Sequence, residues 1–224
     1  SQVRIVAFGD DLTYSHEQRE KAWPALLEKK LNDLAGSSSH AAVVNAGIPK
    51  SHSRQAVLRF KRDVTPFAPH LVIFSFTFTD AVLWFKHQGD EFRPNLPPDQ
   101  REKSIEDLYQ RLTSLKAQRL HWTTNPLLPH DTVTEETPER AQWANLQQQA
   151  AEECHRQHVR CCRRYNVPMT DLRARFEVNG LKSARKWMSD WYHHNETGAA
   201  NIAKWLCEYI VNSKMVRVNS DENE

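Results

Sequence analysis

Two short stretches, near opposite ends of a 224-residue chain, hold side chains able to do chemistry. The first is Gly9-Asp10-Asp11-Leu12, where two carboxylates follow the apolar, β-branched run 3–8. The second is Asp190-Trp191-Tyr192-His193-His194-Asn195, just ahead of a segment that is apolar at Ile202, Leu206 and Ile210. An Asp three residues before a His can hold the imidazole Nδ1–H on one turn and leave Nε2 facing a reacting group. Asp10, Asp11, Asp190 and His193 together also offer oxygen and nitrogen ligands suited to a divalent metal.

The elements around these residues set where they can meet. The run 3–8 reads as a buried strand that stops at Gly9, where a Cβ would hinder a tight turn. Further strands are expected at 41–44, 71–76, 120–124 and 167–169. Helical spacing of apolar residues marks 23–31, 54–61, a stretch through Ile105, Leu108, Leu112 and Leu115, a Gln- and Arg-rich stretch to about 164, and a last helix from about 195. Strands alternating with helices imply a parallel sheet covered on both faces. The expected fold is α/β, a three-layer α/β/α sandwich on a flavodoxin-like five-stranded parallel sheet. In such a sheet ligands bind beyond the carboxyl ends of the strands, where Asp10 and Asp11 sit. Residues 1–217 are expected to form one domain, with 218–224 as a polar tail.

The two stretches resemble the first and last sequence blocks of the SGNH (GDSL-type) hydrolases. Gly9-Asp10-Asp11-Leu12 stands where that family has Gly-Asp-Ser-Leu, with Asp11 at the nucleophile. Asp190-Trp191-Tyr192-His193 followed by Asn195 and Gly198 matches Asp-x-x-His-x-Asn-x-x-Gly. The resemblance runs through Trp23-Pro24-Ala25-Leu26-Leu27, Asn45-Ala46-Gly47, the 69–76 strand and Thr123-Thr124-Asn125-Pro126. It implies ester hydrolysis as the lineage chemistry, on a carbohydrate or lipid ester, with Asp190 as orienting acid and His193 as base. It calls for no cofactor and no metal, and for a small ester-like ligand.

The two middle blocks depart from the family. Lys50 stands where a Gly normally offers an oxyanion N–H, and Thr79 replaces the Asn that offers the second donor. A Cβ and a long cationic side chain at Lys50 are expected to crowd or re-charge that position. Three readings follow: an impaired hydrolase or non-catalytic binding module, a hydrolase using Asp11 as carboxylate nucleophile in the manner of dehalogenases and epoxide hydrolases, or a metal site. Trp84, Trp187, Trp191 and Tyr192 are candidate N–H or O–H donors to a leaving group in the second reading.

Bulk properties narrow the partners. Lys+Arg 30 against Asp+Glu 28 is too balanced to point to nucleic acid. No apolar run approaches the roughly 18–20 residues of a membrane span, and mean hydropathy is -0.71. No signal peptide is visible at Ser1, and the four cysteines, Cys154, Cys161, Cys162 and Cys207, lean towards a reducing, cytoplasmic setting. Cys154, His155, His158 and Cys161 or Cys162 are a conceivable zinc set, weighed against an ordinary polar helix face with buried thiols. Substrate choice is expected to reside in the loops 85–100, 125–138 and 177–190.

Overall fold

Successive residues of a strand point to opposite faces, so a strand buried on both sides must be apolar almost throughout. Gln2–Gly9 meets that condition and forms β1. Val3, Ile5 and Ala7 enter one core, and Val6 and Phe8 enter the other. The structure, a computed structural model, describes residues 2–15, 19–36, 40–84, 93–123, 138–178 and 180–217. The expected tail at 218–224, the first half of the 85–100 loop and nearly all of the 125–138 loop lie outside these residues.

Four more strands join β1 in a wholly parallel sheet: β2 (His40–Gly47), β3 (Leu71–Ser75), β4 (Gln118–Trp122) and β5 (Met169–Thr170). Their order is β2-β1-β3-β4-β5, the flavodoxin-like arrangement. Helices α1 (Trp23–Ala35) and α5 (Glu196–Asn212) cover one face through Leu27, Leu31, Ile202 and Leu206. Helices α2 (Ser53–Asp63), α3 (Pro98–Ser114) and α4 (Pro138–Arg164) cover the other through Phe60, Ile105, Leu112 and Cys154. Among the described residues, no helix is long and apolar enough to cross a membrane.

Differences from the sequence expectation have local causes. The last strand starts at Met169 rather than Val167, and Pro168 enters the sheet only through its carbonyl, which accepts from His121 N at 3.0 Å. Pro98 starts α3, because proline fits the first helical turn, and this shortens the expected 85–100 loop. Leu83–Trp84 and Arg93–Pro94 pair as a small antiparallel ribbon. The 177–190 stretch holds helical turns at Leu181–Ala184 and Arg185–Trp187.

The register levels the strand ends that matter. Gly9 pairs with Gly47 on one side and with Ser75 on the other. The chain leaves all three strands at one height, where the path reverses direction across the sheet. A Cβ on Gly9 would lie 2.0 Å from Thr13 Oγ1, and Thr13 is fully buried. Gly9→Ala is therefore expected to cost about 1–3 kcal/mol by overpacking. The measurement is urea unfolding, which should show a lower midpoint at unchanged slope.

Candidate active site

Asp10 and Asp11 lie side by side after β1 yet face different surroundings. Asp10 caps the short helix Asp11–Tyr14, its Oδ1 accepting from Leu12 N at 3.1 Å. Its Oδ2 lies 2.8 Å from Thr79 Oγ1 and accepts from Thr79 N at 3.2 Å. Asp10 is fully buried. Burial raises its carboxyl to about 7, with the Thr79 hydroxyl pulling it down and the neighbouring Asp11 charge pushing it up.

Asp11 Oδ2 accepts from the backbone N–H of Lys50 at 2.7 Å and lies 3.4 Å from Thr79 Oγ1. Lys50 has φ 61, a left-handed conformation that costs a residue with a Cβ about 1–2 kcal/mol and a glycine nothing. Its N–H still points inward, while the side chain is exposed rather than crowding the site as expected from sequence.

Asp190 and His193 share one turn, as their spacing implied. His193 Nδ1 is 2.6 Å from Asp190 Oδ2, and Asp190 Oδ1 accepts from the backbone N–H groups of Tyr192 at 2.8 Å and His193 at 2.7 Å. Burial pushes Asp190 up, but the His193 ring and these two N–H groups outweigh it and hold the carboxyl below its usual range. Asn195 caps α5 by accepting from Gly198 N at 3.0 Å. His194 is buried, and burial lowers its imidazole to about 3, so it stays neutral and faces the core.

Tyr192 stands between the two stretches: it lines the cavity that holds Asp11, whereas Asp190 and His193 are not among the residues lining it. The Tyr192 ring stacks on Phe78 with centroids 4.0 Å apart, and lies 3.7 Å from the His193 ring centroid. Burial, then the charges of Asp11 and Asp190, push the phenol well up, as expected for a hydroxyl flanked by both carboxylates. A cavity of about 310 Å³ opens here, with Asp11, Lys50, Thr79 and Asn95 forming its polar part. Phe78, Val82, Leu83, Trp143, Trp191 and Tyr192 form an apolar wall.

Several of these residues gave no signal in the sequence. Trp143 sits far along the chain on α4, and its indole N–H donates to Leu83 O at 3.0 Å. Asn95 follows the small ribbon and donates to Thr79 O at 3.1 Å. Arg59 is buried beneath the strand ends, donating to Gly9 O and Ala46 O at 2.8 Å each while its guanidinium lies 4.3 Å over Phe8. Trp187 packs on Phe176 and Trp205 instead of the cavity, and the side chain of Trp84 lies outside the description.

Comparison with known proteins decides the family. The GDSL-like lipase/acylhydrolase family model matches residues 7–200. The chain belongs to this family. An acetyl xylan esterase, AlAXEase, superposes with TM-score 0.72 at 20% identity, covering 93% of this chain and 100% of that one. A lipase/acylhydrolase from Enterococcus faecalis gives TM-score 0.71 at 17% identity, covering 97% and 99%. The aryl esterase of M. Smegmatis gives 0.64 at 16% identity, covering 94% and 99%. These likenesses establish the hydrolase fold. A comparison with curated proteins finds no match.

Proposed function

We propose that this GDSL-family chain binds a small ester-like ligand in the Asp11 cavity without hydrolysing acyl esters. The carrying observation is the 2.7 Å hydrogen bond from Lys50 N to Asp11 Oδ2. In a working esterase of this family the equivalent N–H waits for the oxyanion of the substrate. Here a carboxylate oxygen of the protein takes it, so the donor is spent before any ester arrives. The aromatic wall still offers a surface for an acyl or aryl group. Acetylated carbohydrate and aryl esters, the classes named for the structural neighbours, are the ligands to try.

The other readings have less support: of the donors the sequence offered for a leaving group, Trp191 and Tyr192 line the cavity and Trp187 does not. Trp143, a cavity indole, already gives its N–H to Leu83 O, so it is not poised for a halide. Asp10 and Asp190 are occupied by backbone and side-chain donors. Among the described residues, Asp10, Asp11, Asp190 and His193 do not form a metal-sized cluster.

The test pairs binding with turnover. Tryptophan fluorescence, with Trp143 and Trp191 in the cavity wall, should saturate with p-nitrophenyl acetate or an acetylated xylo-oligosaccharide, and Phe78→Ala should weaken that binding about tenfold or more. Ester turnover should stay at the rate of a His193→Ala control. Turnover by the unaltered chain that disappears in His193→Ala contradicts the proposal.

A further inference from the structure

A second cluster lies below the Thr77–Ala81 turn, on the side of the sheet covered by α2, α3 and α4. Asp80, Cys154 and His158 are each fully buried there, and one ligand atom from each lies within 4.8 Å of the others. Cys154 and His158 are four residues apart on α4 and so share one face of the helix. Asp80 Oδ1 accepts from Ser53 N at 2.6 Å, which fixes the carboxylate. Asp80 Oδ2 and His158 Nε2 have no hydrogen-bond partner among the described residues, although burial of such atoms normally demands one.

The separation of these two atoms is informative. At 3.6 Å they are too far apart for an N–H···O bond of about 2.7–3.2 Å. Two ligands bonded to a tetrahedral metal at about 2.0–2.1 Å stand roughly 3.3–3.4 Å apart. The other ring nitrogen is also placed for this. His158 Nδ1 lies 3.3 Å from the Tyr109 hydroxyl, which in turn lies 3.2 Å from Cys162 Sγ. With Nδ1–H donating to Tyr109 and Tyr109 O–H to the sulfur, the Nε2 lone pair faces Asp80 and Cys154.

We propose that Asp80, Cys154 and His158 form a buried structural site for a borderline-soft divalent cation of the zinc type. A carboxylate, a thiolate and a neutral imidazole around a 2+ ion sum to zero charge, so the cluster is buried without a net charge. Binding releases the Cys154 proton to solvent, and affinity therefore falls as pH falls. His121, fully buried, stacks nearly parallel on His158 with centroids 4.9 Å apart, and so packs against the imidazole without joining the ligand group.

The set differs from the one suggested by sequence. Cys154 and His158 stay, but Asp80 replaces His155 and the later cysteines. His155 is only half-buried, Cys161 lies by Glu106, and Cys162 by Tyr109. No pattern along the chain links Asp80 to α4. The metal would anchor the turn carrying Thr79, the residue that touches both Asp10 and Asp11.

The experiment refolds the full chain with Co2+ under reducing conditions. One equivalent should bind and give a thiolate-to-cobalt charge-transfer band. The band should vanish in Cys154→Ser, persist in Cys207→Ser, and need at least about tenfold more Co2+ in His158→Gln. If Cys154→Ser does not fold, X-ray absorption of the cobalt-loaded unaltered chain decides. One sulfur among nitrogen and oxygen scatterers is expected. No cobalt uptake, a band surviving in Cys154→Ser, an all-oxygen shell or two sulfurs would each overturn the assignment.

Discussion

Asp11→Ser is expected to raise short-chain ester turnover at least about 10²–10³-fold above the unaltered chain. That range is the value of one oxyanion donor, and the substitution returns the Lys50 N–H to the substrate. It also replaces a nucleophile that cannot complete the reaction. A carboxylate attacking an ester carbonyl forms a tetrahedral intermediate able to expel either the carboxylate or the alkoxide. The first has a conjugate acid with a pKa of about 3.9. The second has one far higher, near that of water. Collapse runs backwards. A serine hydroxyl removes this obstacle, since its alkoxide leaves no better than the alkoxide or aryloxide of the substrate, and His193 on Asp190 is the candidate base. Thr79 Oγ1 serves as a second donor when Asp10 is protonated and donates to it. The assay is a p-nitrophenyl ester panel on Asp11→Ser and on Asp11→Ser/His193→Ala. Gain in the first and its loss in the second are expected. Gain that survives His193→Ala would remove His193 from the proposed chemistry. No gain at all would mean that more than the nucleophile has been lost.

The second large effect is a pH dependence owed to Asp10. Its carboxyl has an ordinary value of 3.8 and is raised to about 7 in the folded protein. Below the ordinary value both states hold the proton, and the full contribution is present. Between that value and about 7 the unfolded chain releases its proton while the folded chain keeps it. Stability therefore falls as pH rises, by up to about 1.4 kcal/mol per pH unit and about 4 kcal/mol in total. The geometry accommodates the protonated form. Asp10 can donate to Thr79 Oγ1 at 2.8 Å, and Thr79 can then donate to Asp11 Oδ2 at 3.4 Å.

Buried histidines pull the other way. His194, lowered to about 3, and His121, held well below its ordinary value, cost stability as pH falls below about 6.5. Comparing the unaltered chain with Asp10→Asn cancels these contributions, because both chains keep them. The difference in unfolding free energy, measured in urea from pH 4 to 8, should move against the unaltered chain as pH rises, then level off above about 7. A flat difference would mean that Asp10 is ionised throughout.

The chain's order of elements, its sheet type and its two chemical turns were legible along the sequence because each is local. A strand buried on both faces must be apolar at consecutive positions, as β1 and β3 are. The Asp190–His193 pair needs one turn of backbone, and three-residue spacing provides it. Asp11 at the end of β1 follows from where an apolar run stops.

Contacts between distant segments were decided only by folding. Whether the Lys50 N–H is open or taken depends on the level at which β1 and β2 end, which the Gly9–Gly47 register sets. Asp10 and Asp11 look alike in sequence, but Thr79 and burial separate them into a carboxyl raised to about 7 and an acceptor for Lys50. Trp143 and Asn95 reach the cavity from α4 and from the ribbon, with no motif to mark them. Asp80 meets Cys154 and His158 across more than seventy residues. Spacing reports neighbours along one element, whereas partners on different elements are chosen by strand register and by which helix face packs against the sheet.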